Sequence, residues 1–494
     1  MIQENITIHD KYQFELKIGY KILEQDLDTL YNIEMYFFIP NSLDINKNNY
    51  TKKDFYNDLQ TYIRFKSPTI ILRNIVSGND DSPIQKLKRS FEQLLIHQDD
   101  KNIANYIRQI KMFICILKSA LRDHVHFITK QKIQDDFETL INEYIQTVTE
   151  IASKYRELRS TINVPNLSEK LYSYYLFGDE YLSFMIEEST FNLINYLEKH
   201  HKTDFKNYSI KLYGILQTEI KNRENNKYPS IPKENDDNEE LIFRKSVLKK
   251  FTSSVLYLKT TTEREGALIE QILFGIAAGL SMLFATAIAF YSQYKYGSIS
   301  ATVFIILIIS YIFKDRIKEL LRIYFSKKME NWFPDHKVNL FTAEKEKIGW
   351  TQETFYFTKE ENVPKDIMQI RNRDHITEIE NGWMGEKIAL YIEKVNLFSK
   401  KLIDIYKDYT MEGINNIMRF DISKFLNKMD DPKKTIYVLN EHGHKEIIGK
   451  RVYHLNLVIK YTSKIDTIYK RFRIVLNRDG IRRIEEIFSE KEPR

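Results

Sequence analysis

The sequence predicts an α+β multidomain membrane protein, and three patterns carry that expectation. Twenty uncharged, mostly apolar residues run from Ile272 to Tyr291, and a second apolar run follows from Ser298 to Phe313. Five stretches, about 84–97, 101–129, 131–163, 168–200 and 204–225, repeat apolar residues every three or four positions and almost lack glycine and proline. The tail instead alternates β-branched and polar residues in short runs separated by turn signals.

The two apolar runs read as a transmembrane hairpin. At about 1.5 Å per residue the first run reaches roughly 30 Å, the thickness of a hydrocarbon core. The connector SQYKYG is too short for anything except tight re-entry, and Tyr291, Tyr294 and Tyr296 stand where interfacial aromatics belong. Lys249, Lys250, Lys259 and Arg264 precede the first run, and Lys314, Arg316, Lys318, Arg322, Lys327 and Lys328 follow the second. The turn holds only Lys295, so the charge bias predicts a multi-pass membrane protein with both termini in the cytoplasm.

Turning 100° per residue, Gly275, Ala278, Gly279, Ala285, Thr286 and Ala289 gather on one side of the first span. Small residues let helices approach closely, so this face is expected to pack on the second span or on another copy. Apart from Lys295, no ionisable residue lies between Ile272 and Phe313, which removes the groups of proton relays, charged transport sites and voltage sensors. Ser281, Thr286, Ser300, Thr302 and Ser310 are the hydroxyls that would line a narrow pore in an oligomer. The alternative is that they bond their own helix backbone.

Around the hairpin we expect a small mixed α/β module (1–80), a helical bundle (81–227), a linker (228–240) and a cytoplasmic β-rich domain (331–494). Tyr12–Ile22 and Ile33–Ile39 read as strands of the first module, KKDFYNDLQTYIRF as a helix, and Thr69–Ile75 as a returning strand. Glu239–Glu270 reads as one helix running into the first span, and Lys314–Glu330 as an amphipathic juxtamembrane helix. In the tail, Ile388–Phe398, Ile436–Leu439, Val452–Tyr461, Thr467–Leu476 and Ile481–Ile487 are the expected strands. Arg471, Arg473, Arg478, Arg482 and Arg483 form a candidate patch for an acidic ligand.

The chain's 494 residues exceed one core's usual reach, its net charge of +6 is mild, and its single cysteine, Cys115, excludes an internal disulfide. The start MIQENITIHD shows no signal-peptide pattern, so the N-terminal part is expected in the cytoplasm. No GxxxxGK, GxGxxG, HExxH or GxSxG motif occurs, and no catalytic set, metal set or cofactor is expected. His124/His126 and His200/His201 are wrongly spaced on helices for local chelation, and His442/His444 lack a third ligand. Arg371–His375 offers an Asp-His pair without a partner motif, and Asp135-Asp136 and Asp430-Asp431 read as solvated surface.

The stretch Phe243–Lys328, above all LFATAIAFYSQYKYG and FKDRIKELLRIYFSKK, together with MYFFIPNSLDINKNNYTKKDFYNDLQTYIRFKSP, resembles the two-span bacterial membrane effectors of anti-phage defence. It resembles in particular the channel-forming effectors of the Hailong system. The resemblance implies a homo-oligomeric ion channel, tetrameric, held silent by an oligonucleotide signal from a partner nucleotidyltransferase. It carries over no ligand-binding residue. A membrane-tethered scaffold, whose hairpin is only an anchor, is the alternative reading.

Overall fold

The computed structural model describes residues 3–22, 28–130, 134–263, 265–297, 300–329, 333–371, 385–405, 408–409, 411, 413–441, 443–464 and 466–487. The elements follow in order: β1 (Gln3–Ile8), β2 (Gln13–Lys21), β3 (Asp28–Pro40), α1 (Lys52–Asp58), β4 (Leu59–Phe65), α2 (Pro83–Ile96), α3 (Asp100–Lys130), α4 (Gln134–Ile162), α5 (Glu169–His200), α6 (Lys202–Asn225) and α7 (Glu239–Ser253). Then come β5 (Lys259–Glu263), α8 (Ala267–Tyr296), α9 (Ala301–Met329), β6 (His336–Phe341), β7 (Lys347–Thr358), α10 (Lys365–Arg371), β8 (Glu386–Phe398), β9 (Gly413–Asp421), β10 (Lys433–Asn440), β11 (Gly443–Lys450), β12 (Tyr453–Ser463), β13 (Thr467–Asn477) and β14 (Gly480–Glu486). The chain divides into two compact units. One comprises 1–63, 258–405 and 414–494, and the other comprises 64–257 with 406–413.

The first unit is built on an eight-stranded antiparallel sheet, β14-β13-β12-β3-β8-β7-β6-β5. The N-terminal module is therefore not separate from the C-terminal β domain, a correction to the expected boundaries. Strand β3 lies between β12 and β8 and is buried on both faces from Met35 to Ile39, so it can only be a central strand. A four-stranded sheet, β1-β2-β9-β4, packs on it through aromatic rings. Phe420 of β9 lies 5.5 Å from Phe37 of β3, and Phe55 of α1 stacks on Phe355 of β7 at 3.9 Å. Both centroid distances fall within or near the range where ring pairs add to area burial. On the opposite face α10 seats Ile367 against Tyr36, Phe38, Leu390 and Val458.

Helix α1 starts at Lys52 as expected, fixed by a capping box, but ends early at Asp58. Thr51 and Asp54 exchange bonds, and the period then changes to two from Leu59 onward. Thr69–Ile75 is not a strand; its described end, Leu72–Ile75, is a 3-10 turn. The expected helix Glu239–Glu270 is also broken. It ends at Ser253, and Lys259–Glu263 (KTTTE), with three consecutive β-branched residues, forms the edge strand β5. Gly266, at φ 84°, then lets the chain turn into α8.

In the second unit α2 to α6 form the helical bundle that the periodicity predicts, with boundaries close to those read from sequence. Its core joins Phe91, Tyr106, Ile110, Phe113, Tyr155 and Tyr175, all essentially without solvent exposure. The stretch 228–240 is less a free linker than a seated loop: Tyr228 is buried and donates to Asp179 at 3.0 Å. Helix α7 belongs to this bundle too, held by Arg244 on the fully buried carboxylate of Glu180 at 2.6 Å.

Candidate functional site

Helices α8 and α9 pack as an antiparallel hairpin inserted between two neighbouring strands. Strand β5 before it pairs with β6 after it, with Glu263 opposite Lys337. The hairpin's two ends are therefore side by side, each tied to the sheet through a carboxylate. Glu265 accepts from Lys337 and from Gln352 (2.7 Å), and Asp335 accepts from Lys52 (2.6 Å), Tyr56 (3.0 Å) and the Phe355 N–H (2.7 Å).

The hairpin leaves an unusual amount of apolar surface open. Ile272, Ile276, Leu280, Leu283, Phe290, Phe304, Ile305, Ile308, Ile309, Ile312 and Phe313 are all exposed. Among the described helices, α8 alone is long and apolar enough to cross a membrane, and 11% of its most apolar window is buried. The second run falls short because α9 begins at Ala301 and reaches Lys314 within one short apolar stretch. Residues 298–299, the start of the expected second span, and Arg264 lie outside the described residues.

The two apolar runs are also staggered. Ser310 faces the Ala285 carbonyl at 3.5 Å, and the Arg322 guanidinium lies 4.7 Å from the Phe274 ring. The charged stretch Lys314–Arg322 of α9 thus runs beside the apolar stretch Phe274–Met282 of α8.

The predicted packing face is partly realised. Ala277, Ser281 and Ser292 are the buried positions of α8, and Ala278, Ala285, Thr286 and Ala289 are half-buried. Gly275 and Gly279 stay exposed, and a Cβ added at either would meet nothing within 4 Å. Most candidate pore hydroxyls turn to their own chain. Ser281 donates to the Ala278 carbonyl (2.8 Å), Thr286 to Met282 (2.9 Å) and Ser310 to Ala285, while Ser300 accepts from the Val303 N–H (3.2 Å). Thr302 is exposed.

The five C-terminal arginines do not make one open patch. Arg471 is buried and donates to the Ile370 carbonyl (3.2 Å) and to Asn456 (3.3 Å). The β13–β14 register sets Arg473 opposite Glu485, which also accepts from Arg483 at 2.6 Å. That hydrogen bond from Arg483 is the main reason the Glu485 carboxyl is held below its ordinary range. Arg478, Arg482 and Arg483 are exposed, and of these Arg483 is paired with Glu485.

A different basic site appears inside the helical unit. A cavity of about 580 Å³ is lined by α3, α5, α7 and the end of β4. Arg64, Lys118 and Lys249 face it, with Tyr181, Ser189 and Thr252 among the other walls. None of the three cations forms an ion pair among the described residues. The lining carboxylate, Glu188, is held by Lys245 at 2.8 Å. Arg64 Nε and Ser189 Oγ are buried with no hydrogen-bond partner among the described residues. Desolvation, then the neighbouring Lys249 charge, draws the Lys118 ammonium below its ordinary range. Cys115, on the same wall, is inert: burial pushes its thiol up to about 12. Sequence reading missed this site because its residues come from four elements. The signal that could have found it is the polar stripe Lys118, Arg122 and His126, at i, i+4 and i+8 on the otherwise buried helix α3.

The histidines are dispersed. His124 is buried and bonds the Leu140 carbonyl (3.1 Å), His201 stacks on Phe137, and His444 lies beside Tyr437. His442, Asp374 and His375 lie outside the described residues, as does the side chain of Asp135; Asp136 and Asp431 are exposed. Among the described residues no three His, Cys, Asp or Glu side chains are grouped to hold a metal.

No family model, curated protein or solved structure matches this chain.

Proposed function

We propose that the chain is an oligomeric membrane effector whose α8–α9 hairpin enters the bilayer from the cytoplasmic side and forms a gated ion pore. The observation that carries this reading is the apolar surface that the hairpin leaves exposed, far beyond what a water-soluble monomer presents. The adjacency of β5 and β6 supports a re-entrant path, because both ends of the hairpin return to one sheet edge. The stagger supports a wet interior. Lys314 to Arg322 run beside the apolar half of α8, and charges at that depth need a water-filled vestibule between copies.

The role in anti-phage defence, a tetrameric assembly in the inner membrane, and silencing by an oligonucleotide from a partner nucleotidyltransferase rest on the resemblance alone. The cytoplasmic units would bias the pore by binding such a signal more tightly in the closed state than in the open one.

One observation favours a second reading, a membrane-tethered scaffold: the hairpin's hydroxyls are bonded to helix backbone and leave few polar groups for a lumen. Reconstitution into liposomes separates the two. The pore reading expects ion leakage from the purified protein with an oligomer in nonionic detergent. Membrane insertion with a monomer and no leakage would establish the scaffold.

A further inference from the structure

We infer that the cavity bounded by α3, α5, α7 and Arg64 is a binding site for a small phosphate-bearing molecule. Three cations, Arg64, Lys118 and Lys249, converge on one concave space without ion-pair partners among the described residues. An arrangement of like charges costs free energy unless an anion completes it. Two further groups await a ligand. Arg64 Nε and Ser189 Oγ are both buried and unpaired, and such orphan groups persist where a partner binds.

The chemistry of the walls narrows the class. Guanidinium and ammonium groups beside the Ser189 hydroxyl suit phosphate oxygens, which accept several charged hydrogen bonds at once. Tyr181, whose hydroxyl accepts from Lys118 at 3.3 Å, adds an aromatic ring to the lining. The volume, about 580 Å³, is that of a site for a molecule of mononucleotide or sugar-phosphate size. Binding here does not require the hairpin to conduct, so its failure and the failure of the pore reading are separate results.

The test uses the full-length protein in nonionic detergent, titrated calorimetrically with inorganic pyrophosphate, AMP and glucose 6-phosphate. At least one probe should bind, with affinity that falls as salt rises. Arg64→Gln with Lys249→Gln should weaken it at least tenfold, whereas Lys211→Gln, exposed on α6 and outside the cavity, should change it less than threefold. Equal binding of pyrophosphate and AMP would assign recognition to phosphate alone. Preference for AMP or for the sugar phosphate would assign the rest to the ring wall. Melting temperatures of the variants check that they remain folded. Absence of binding by all three probes overturns the assignment, as does undiminished binding in the folded double variant.

Discussion

Glu353 of β7 and Glu393 of β8 stand directly opposite each other across adjacent strands, and both are buried. Glu393 accepts from Asn416 at 2.7 Å and Tyr20 at 3.1 Å. Burial first, and the Glu353 charge second, push the Glu393 carboxyl up to about 8; burial likewise pushes Glu353 up to about 7. Two carboxylates cannot both ionise cheaply in this setting, so the pair keeps a proton at neutral pH.

The pH dependence follows from that. Between the ordinary glutamate value and about 8, the folded chain holds protons that the unfolded chain has released. Stability therefore falls as pH rises through this window. The melting temperature of the sheet unit should drop by roughly 2–8 °C between pH 5.5 and pH 8.5. Glu393→Gln, neutral at every pH, can accept from Asn416 with its oxygen and donate to the Tyr20 hydroxyl with its amide, and should flatten the curve. Parallel curves for the two proteins would show that the pair does not titrate in this range.

The bundle offers a test of a buried ion pair. Glu180 is wholly inaccessible and its charge is matched by Arg244 of α7. Arg244→Ala strands that carboxylate and should destabilise the helical unit by roughly 3–5 kcal/mol. Adding Glu180→Gln should recover most of the loss, since the uncompensated charge is then gone. Chemical denaturation of the single and double variants decides it, and a loss unchanged in the double variant would point to lost packing instead.

Much of this architecture was legible, and the reasons differ by element. The bundle helices declared themselves because the 3.6 period ran through α2 to α6, with only Pro83 at the first position of α2 and Gly178 and Gly214 inside α5 and α6 against it. The strands β3, β8, β12 and β13 showed their alternation or apolar runs. Sheet order was not readable, because β3 finds its neighbours β8 and β12 at least 346 positions away in sequence. Tertiary and local preferences overrode the expected helices in two places: Leu59–Phe65 turned to strand β4, and Thr260–Thr262 drew β5 out of an expected helix. The arginine patch failed because charges were counted without their cross-strand partners, and Glu485 neutralises two of them.

The hairpin's attachment makes a third prediction. Asp335 follows α9 and accepts from Lys52, Tyr56 and the Phe355 amide, and Glu265 precedes α8 and accepts from Lys337 and Gln352. Asp335→Ala removes three acceptor contacts and leaves the Phe355 N–H unmatched, a cost of about 2–3 kcal/mol. Combined with Glu265→Ala it should free the hairpin base from the sheet. Hydrogen exchange in the first turn of α8 should then speed at least tenfold, while Arg483→Gln, elsewhere in the same unit, leaves it unchanged. Protection preserved in the double variant would mean that β5–β6 pairing alone holds the hairpin.

Two neighbouring positions on α8 separate contact within a chain from contact between chains. Ala277 is fully buried in the hairpin, so Ala277→Leu overpacks it and should cost about 1–3 kcal/mol. Gly279 faces open space, and a side chain there meets nothing in its own chain. Gly279→Leu should therefore leave the hairpin folded and inserted. Its effect on assembly then reports the other copies directly, because close approach of helices in lipid depends on small residues. We expect Gly279→Leu to shift the detergent-solubilised protein toward monomer and to abolish liposome leakage, with membrane insertion retained. An oligomer and a leak that both survive the leucine would remove Gly275 and Gly279 from the interface. Loss of leakage in Ala277→Leu alone would then place the determinant inside the hairpin, where Ser281 and Ser292 already pack.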